Sequence, residues 1–546
     1  MAQRASRAFS SRVARRGVRR VLRWALWSAF AVLVCGAVAG AILLRHPEPL
    51  LKARIVKTLS ARFDSRVQLD QLHVSVERGI HVSGGGLRIS PRRFQARAPL
   101  FAVAQFSFSI PWRQLFQLPM VVDRVQVRGL DINIPPKEER AKDNHSKQNK
   151  FHLDIRIDEI VCENATLVIG TNKPGRVPLE FDIGQLLLFS VGPSGPMKFH
   201  AVLVNPKPIG NIDSDGSFGP FQADSPGDSP VSGEYRFSNA DLNPLEGIGG
   251  TLSSRGKYHG VLNSITVDGE TSTPNFQLDI ASHPVPLNTT FHAIVDGTNG
   301  DTYLDPVDAR LLHSHIVAKG DVIRDPKGPG HEIRLDVTLG PGQIEDLLEL
   351  GTKSQRPLLT GATEMHTNLY LPARGGKVMD KIRLEGSFAV LNAHFTESEF
   401  QSKIAQLSLR GLGKAKEAKE LGQAQKNGDP ASGSDVASTM RGDFSFGDGK
   451  IAMKDLDFSV PGAEIALQGV YTMESQQLDF HGSARFDAKL SQMVTGWKSL
   501  LLRPVDPFFS NHNRTDIPIN VTGTRSHPHV GLDLGSKNHP DEASLP

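Results

Sequence analysis

The stretch RVQLDQLHVSV, residues 66–76, shows the pattern that decides the fold of this chain. Val67 and Leu69 alternate with polar residues, so apolar side chains fall on one side of an extended backbone and polar side chains on the other. The same period of two recurs in IHVSGGGLRIS (80–90), FSFSI (106–110) and RVQVRGLDINI (124–134). Gly, Pro, Asn and Asp separate these segments at short intervals, which is typical of turns between antiparallel strands.

The alternation resumes at FHLDIRIDEI (151–160) and recurs to about residue 338. It continues in IRLEGSFAV (382–390) and SKIAQLSLRG (402–411), and again from 442 to 488. Only short segments interrupt it: the polar stretch 211–233, predicted to be a loop, and two helix-prone segments, QIEDLLEL (343–350) and KAKEAKELGQAQK (414–426). Because crossover helices are lacking, a parallel α/β fold is disfavoured. We predict a mainly β protein with an elongated, twisted antiparallel sheet and a few short helices.

The N-terminus predicts a membrane anchor. Eight arginines and no acidic residue occupy positions 1–23, and no charged residue occurs from Trp24 to Leu44. A helix needs about 20 residues to cross the hydrocarbon core of a bilayer. Because positive charge is retained on the cytoplasmic side, we expect a single-pass membrane protein with a cytoplasmic N-terminus, whose chain after Leu44 lies outside the cytoplasm.

A cleaved signal peptide is the alternative interpretation of this segment. Its apolar region would span about 7–15 residues and end in a small-residue cleavage site. The apolar run here is longer, and Arg45, His46 and Pro47 follow it. The uncleaved anchor is therefore favoured.

Charge and cysteine content exclude several classes of protein. The net charge is +4, with 62 basic and 58 acidic residues. Eight of the basic residues belong to the N-terminal head, so acidic residues are in excess elsewhere and a nucleic-acid partner is not expected. Of the two cysteines, Cys35 lies in the predicted span and Cys162 outside it. An intrachain disulfide and a cysteine-based zinc site are therefore not expected.

These patterns divide the chain into consecutive regions. In order, they are a basic head (1–23), a transmembrane helix (24–44), an amphipathic helix (45–64), an N-terminal β region (65–135), a charged linker (136–150), a central β region (151–410), a polar helix-prone and disordered insertion (411–437), a C-terminal β region (438–534) and a disordered tail (535–546). The amphipathic helix is expected to cap the first sheet, to lie near the membrane surface, or both.

Possible catalytic and metal-binding residues are few. His313 and His315 have the spacing of two imidazoles on one face of a strand, as do His527 and His529, but no carboxylate lies at a recognisable zinc-enzyme spacing.

Two other short segments match the motif of a known functional site only in part. Asp213 and Asp215 form part of a calcium-loop motif, but Phe218 occupies the position that requires glycine. Ser254 and Lys257 form an isolated S-x-x-K without the partner motifs of penicillin-binding enzymes. We predict no metal, no cofactor and no enzymatic activity.

The two ends of the chain resemble the bacterial AsmA-like family. The N-terminal part of the resemblance is the anchor, LLKARIVKTLSARFDSRV (50–67) and the strands that follow. The C-terminal part is GDGKIAMKDLDFSVPGAEIALQGVY (447–471), LDFHGSARFDA (478–488) and IPINVTGTRSHPHVGLD (517–533). The resemblance implies a repeating, chorein-like β-groove that carries phospholipids between the inner and outer membranes. It also implies that the anchor lies in the inner membrane and the bulk of the chain in the periplasm. None of the family's motifs is catalytic.

The half-apolar strands predict which residues would line such a groove. An exposed apolar face needs a cover. The sheet can fold over itself as sandwiches or closed barrels, or it can curl into an open groove whose apolar face is covered by acyl chains. The alternation places on this face Val67, Leu69, Phe106, Phe108, Val125, Val127, Leu153, Ile155, Phe444, Phe446, Ile451, Met453, Ile465 and Leu467.

Three functions remain open at this point. The first is a lipid-carrying protein that binds membrane phospholipids. The second is a periplasmic scaffold that organises envelope assembly through partner proteins. The third is an exported hydrolase whose site is scattered in sequence. The degree to which protein covers the apolar strand faces separates the first from the second.

Overall fold

The computed structural model describes most of the chain after the predicted anchor. The described residues are 48–62, 65–76, 79–91, 98–114, 120–134, 155–169, 179–191, 195–220, 222, 225–281, 283–325, 330–352, 354, 356–373, 376–426, 435–495, 510–511, 514–524 and 527–533. The basic head, the transmembrane segment, the charged linker and the C-terminal tail predicted from the sequence lie outside these residues. No helix within the described ranges combines the length and the apolar character that a membrane crossing requires.

The fold is mainly β, as predicted, and the described residues form one long, twisted, open sheet of 26 strands. The strands are β1 Ser65–Gln68, β2 Gln71–Val76, β3 Gly79–Pro91, β4 Phe101–Pro111, β5 Met120–Ile134, β6 Ile155–Ile169, β7 Leu179–Val191, β8 Met197–Pro206, β9 Ile209–Phe218, β10 Pro230–Asp241, β11 Ile248–Gly249, β12 Thr251–Val261, β13 Ser264–Leu278, β14 Val285–Val295, β15 Thr302–Leu311, β16 Ser314–Arg324, β17 His331–Gln343, β18 Leu359–Leu371, β19 Arg383–Phe395, β20 Ser438–Gly447, β21 Lys450–Val460, β22 Ala463–Thr472, β23 Gln477–Phe486, β24 Ser510–Asn511, β25 Arg514–Thr524 and β26 His527–Leu532.

Strand order follows chain order almost throughout. The stretch 66–76 forms two strands, β1 and β2, which both pair with β3. The turn between them contains Asp70, whose carboxylate binds Arg88 of β3 at 3.1 Å. At the other end, Asp533 follows β26 and hydrogen-bonds His481 of β23 at 3.1 Å. This bond is the main cause of the raised pKa of His481.

The pair β5–β6 differs from the antiparallel pattern predicted for the whole sheet. Met120 pairs with Ile155 and Leu130 with Ala165, so the two strands run in the same direction. A parallel pair requires a connection that returns along the whole strand. Residues 135–154, which lie outside the described residues, join the two strands in sequence, and alternation within a strand does not predict the direction in which it pairs.

Two other segments differ from the sequence prediction. Much of the predicted loop 211–233 belongs to strands, because Ile212, Ser214 and Gly216 alternate with outward-facing polar residues in β9. The segment SKIAQLSLRG, assigned to the β region, is helical instead. Its small residues Ser402, Ala405 and Ser408 recur at helical spacing and are buried.

Five helices accompany the sheet in the described ranges: α1 Glu48–Arg62, α2 Ile344–Gly351, α3 Val378–Lys381, α4 Ser398–Gly411 and α5 Ala415–Lys426. Helix α1 lies at the start of the sheet, where Ile55 and Val56 pack against a buried cluster of Leu69, Leu72 and Val82. The amphipathic helix therefore covers the first strands.

Helix α4 packs near the other end of the sheet. Ile404 and Leu407 contact the buried cluster that includes Val460 and Phe486. Ser408 Oγ donates a hydrogen bond of 2.7 Å to the carbonyl oxygen of Pro461. Helix α4 thus covers apolar residues a few strands before the C-terminal end of the sheet, whereas Val530 and Leu532 of the last strand are exposed.

Helix α2 is held to the sheet by a buried carboxylate. Asp346, with 3% of its side chain exposed, accepts hydrogen bonds from the backbone N–H of His313 at 2.9 Å and from Ser314 Oγ at 2.7 Å. An N–H or O–H that loses its buried acceptor costs about 1–3 kcal/mol. This carboxylate therefore fixes the β15–β16 turn against α2.

We expect Asp346→Ala to lower the free energy of unfolding by about 2–3 kcal/mol, because two donors lose their acceptor. Glu349→Ala, on an exposed position of the same helix, should change it by less than about 0.5 kcal/mol. Urea unfolding followed by circular dichroism measures both. Equal midpoints for the two variants would show that Asp346 does not hold the helix.

Candidate functional site

The strand register builds continuous rows of inward side chains on one face of the sheet, here called the apolar face. Residues paired between neighbouring strands point to the same side. The middle row runs without a charged residue from β2 to β26. It consists of Leu72, Gly84, Phe106, Val127, Cys162, Leu186, Ala201, Ser214, Tyr235, Gly256, Gly269, Phe291, Val307, Ala318, Val337, Thr367, Gly386, Phe444, Met453, Gly469, Phe480, Val521 and Val530.

Charged residues occupy the opposite, polar face. One of its rows reads His200, Asp215, Glu234, Lys257, Asp268 and His292 across β8 to β14. Neighbours in this row form ion pairs, such as Lys257 with Glu234 at 3.0 Å and His292 with Asp268 at 2.7 Å. The two faces are therefore chemically separate over the middle of the sheet.

Burial on the apolar face changes across the width of the sheet. In β15, Leu311 is 1% exposed, whereas Leu304 near the opposite end of the strand is half-buried. In β17, Leu339 is buried and Leu335 half-buried. The buried edge consists of the strand ends at Ala240, Val285, Leu311, Leu339, Leu359, Val390, Ala393, Val460, Ala463 and Phe486. The rest of the face in the central strands retains solvent-accessible apolar surface.

The N-terminal residues predicted to line a groove share this face. Phe106 and Phe108 pair with Val127 and Val125, and all four belong to or pack on one buried cluster. Val67 in β1 is buried, and Leu69 in the following turn contacts the cluster under α1. Leu153 and the side chain of Ile155 lie outside the described residues.

The C-terminal predicted residues lie on the same face. The register pairs Phe444 with Met453 and Phe446 with Ile451. Ile465 and Leu467 of β22 pair with Phe458 and Leu456 of β21. The register thus links both sets through the intervening strands. Their lipid-binding role stays a prediction.

The central part of the apolar face contains none of the lining residues that were predicted from the sequence. There the rows continue through residues of β10 to β19 such as Tyr235, Tyr258, Phe291, Leu335 and Leu369. The signal was present in segments such as GEYRFS (233–238) and TTFHAIVDG (289–297), which alternate in the same way.

Aromatic rings on this face lie over glycines of neighbouring strands. A Cβ at Gly84 would meet the Phe106 ring at 2.6 Å, and one at Gly216 would meet the Phe199 ring at 2.8 Å. A Cβ at Gly269 would meet Phe291 Cζ at 2.8 Å and Tyr235 Oη at 2.7 Å. Glycine therefore leaves space for a ring to lie along the sheet, which keeps these strands free of protruding side chains.

The histidines considered for metal binding do not form a site. His313 lies in the β15–β16 turn, not in a strand as predicted, and binds Asp346. His315 lies in β16 and binds Asp308 at 2.9 Å. His527 and His529 are exposed in β26.

Asp213 and Asp215 are strand residues on the polar face. Their Oδ1 atoms lie 3.6 and 3.0 Å from His200 Nδ1. One potential ligand atom from each of the three residues lies within 4.8 Å of the others. All three also fit an exposed ion-pair network, because Asp213 lies opposite Arg236 and Asp215 opposite Glu234, which pairs with Lys257.

The S-x-x-K pair is separated by the sheet. Ser254 points to the apolar face, where it donates to the carbonyl oxygen of Glu270 at 2.9 Å. Lys257 points to the polar face and pairs with Glu234. A nucleophile and its base must be within hydrogen-bond reach, so these two residues cannot act together.

Cys162 occupies the middle row of the apolar face in β6. Its thiol is free and buried, and burial raises its pKa to about 11. A thiol with such a pKa is almost fully protonated near neutral pH and is a poor nucleophile. Cys162 is therefore a packing residue.

Comparisons with protein-family models, with curated proteins and with solved structures found no match for this chain.

We expect Gly269→Ala to destabilise the protein by about 1–3 kcal/mol, because the added methyl group displaces the Tyr235 and Phe291 rings. Gly184→Ala is the control, since its Cβ would meet only the carbonyl oxygen of Val202, at 3.8 Å. Thermal unfolding of the two variants tests this difference. A Gly269→Ala midpoint no lower than that of Gly184→Ala would contradict the packing described.

Proposed function

We propose that this chain is anchored in the inner membrane by residues 24–44 and carries phospholipid acyl chains along its apolar face. The observation that carries the proposal is the uncharged middle row, which the register continues from β2 to β26. At about 4.8 Å between neighbouring strands, this row is on the order of 100 Å long. Several acyl chains would fit along it.

The pattern of burial supports an open groove over a closed core. The central strands show half-buried apolar residues alternating with exposed polar ones, as in the pattern of β10. A sandwich would bury the same residues under a second sheet. The described strands form one continuous sheet instead.

The free energies of transfer of an acyl chain favour a lipid carrier. Removing a CH₂ group from water contributes about 0.8 kcal/mol, so an acyl chain does not leave a bilayer for water. An apolar groove replaces one apolar environment by another, so the net free energy of transfer is small. The lipid can then enter and leave, which a tight closed pocket would prevent.

The middle row of the apolar face contains no charged residue, which also favours movement of a lipid along the sheet. A charged side chain in the path would have to be stripped of water by each passing acyl chain, at a cost of several kcal/mol. Ion pairs of the central strands, such as Lys257 with Glu234, lie on the polar face, where both side chains are exposed.

We expect Val337→Glu to abolish co-purification of phospholipid while the protein stays folded. Val337 is half-buried in the middle row, so a glutamate there keeps access to water but places a charge in the path. The adjacent Thr338 points to the polar face and is exposed, and Thr338→Glu is the matched control. Mass spectrometry counts phospholipid per protein, and circular dichroism follows unfolding.

Three results would oppose the proposal. Equal lipid content in the two variants would mean that acyl chains do not use this face. Unfolding of Val337→Glu alone would indicate an ordinary closed core. A wild-type protein that never carries lipid would favour the scaffold that acts through protein contacts.

A further inference from the structure

Hydroxyl groups are concentrated on the apolar face in strands β9 to β14, whereas Thr367 of β18 and Tyr471 of β22 lie singly on this face elsewhere. This region is here called the hydroxyl belt, and it consists of Ser214, Tyr235, Ser254, Tyr258, Thr271 and Thr289. The rows on either side are aliphatic: Leu203 and Ile212 precede the belt, and Ala309 and Ile316 follow it. The belt is thus a cluster of six hydroxyls near the middle of the apolar face.

The direction of the hydrogen bonds in the belt can be assigned from its geometry. Ser214 Oγ donates its single hydrogen to the carbonyl oxygen of Glu234 at 2.9 Å. The Tyr258 hydroxyl, 2.7 Å from Ser214 Oγ, must therefore be the donor in that contact. Tyr258 Oη keeps its acceptor lone pairs but has no hydrogen left to donate.

The second tyrosine repeats this arrangement. Ser254 Oγ donates to the carbonyl oxygen of Glu270 at 2.9 Å, so the Tyr235 hydroxyl, 3.0 Å away, donates to Ser254. Thr271 and Thr289 share one hydrogen bond of 2.7 Å and retain a single hydrogen between them. The belt therefore offers more acceptors than donors.

No positive charge of these strands reaches the belt side of the sheet. Arg255 and Lys257 project from the polar face, where they pair with Glu270 and Glu234. A phosphate group needs cationic or strong N–H and O–H donors, which the belt lacks. A phosphate headgroup is therefore a poor ligand for it.

Packing alone does not require the tyrosine hydroxyls. Phe106 and Phe199 cover Gly84 and Gly216 elsewhere on the same face without a hydroxyl. Tyr235 and Tyr258 cover glycines in the same manner, yet each brings an oxygen and needs a serine to satisfy its hydrogen. Phenylalanine would fill the same space. The hydroxyl oxygens of Tyr235 and Tyr258 therefore add hydrogen-bond acceptors that packing does not use and that a ligand could use.

We propose that the hydroxyl belt binds a lipid that carries a hydrogen-bond donor, an amide N–H or a hydroxyl, next to its acyl chains. The donor is accepted by Tyr235 Oη or Tyr258 Oη while the chains lie on the aliphatic rows to either side. The inference rests on the proposed function, because it concerns the selectivity of the same face. It predicts that amide-linked or hydroxylated lipids are held in preference to lipids with ester groups alone.

The experiment uses the full chain in lipid nanodiscs and three probes made from one fluorescent fatty acid: its methyl ester, its N-methylamide, and the methyl ester of its chain-hydroxylated form. The ester and the amide differ only in one oxygen replaced by N–H. We expect the wild type to bind the N-methylamide roughly 3–10-fold more tightly than the ester, the effect of about one neutral hydrogen bond. The hydroxylated ester shows whether a chain hydroxyl serves as well as an amide.

The variant Tyr235→Phe/Tyr258→Phe should bind all three probes with the affinity that the wild type has for the plain ester. Tyr303→Phe removes a hydroxyl from an exposed position and should leave the preference unchanged. If the double variant is unstable by thermal unfolding, each single variant replaces it, and at least one of them should show a reduced preference.

Equal binding of amide and ester by the wild type would overturn the inference, as would a preference that survives in the double tyrosine variant. Those results would leave the proposed function intact, because the ester would still bind. Failure of the wild type to bind any probe would overturn the inference and the proposed function together.

Discussion

The constraint on which the whole structure depends is phase: each strand must present its apolar residues to the same side as its neighbours. A slip of one residue would turn a strand's apolar side chains to the polar face. Irregularities in this sheet are therefore matched between neighbours. Gly129 of β5, at φ +64°, lies beside Ala104, and a Cβ there would meet Ala104 Cβ at 2.9 Å. Asn164 of β6, at φ +55°, continues this line of irregular positions.

An open single-layer sheet has to find its stability away from its exposed face. Deeply buried side chains lie along the buried edge, as with Leu311 and Leu339, in the cluster of β4 to β8 that includes Cys162, and in the clusters that α1 and α4 contact. In the central strands, side chains such as Leu304 and Leu335 remain half-buried. The buried edge and the clusters therefore stabilise the fold, whereas the central strands retain accessible apolar surface.

Much of this fold could be predicted from the sequence because alternation is a local signal. In residues 124–134, the alternation of apolar and polar residues predicts the strand, and Gly129 marks its irregular position. Three features could not be read in this way. The parallel direction of β6 is a property of its pairing with β5, which alternation within a strand does not encode. The strand β9 is rich in Asp, Gly and Ser, and only the register shows that the Phe199 ring covers Gly216 while Asp213 and Asp215 are exposed on the polar face. The helical form of 402–411 depends on small residues that fit closely against other segments.

The candidate site could be predicted only in part, because alternation is a local signal and the pairing of distant strands is not. Rows of half-apolar residues predicted an apolar face, and the alternating residues named at both ends share it. The hydroxyl belt could not be predicted, because Ser214 and Tyr258 are 44 positions apart in the sequence and meet only through the register. Similarly, sequence spacing suggested that His313 and His315 share one face of a strand. In the structure His313 lies in the turn between β15 and β16, and His315 lies in β16.

The most direct test of the account is photo-crosslinking of lipid in intact cells. A benzophenone side chain is placed at Leu335 or Leu369, which pair on the apolar face, and at their neighbours Asp336 or Asn368, which pair on the polar face. An acyl-chain groove predicts phospholipid adducts at 335 and 369 and none at 336 and 368. Adducts at all four positions, or protein adducts alone at 335 and 369, would contradict the claim that lipid covers this face.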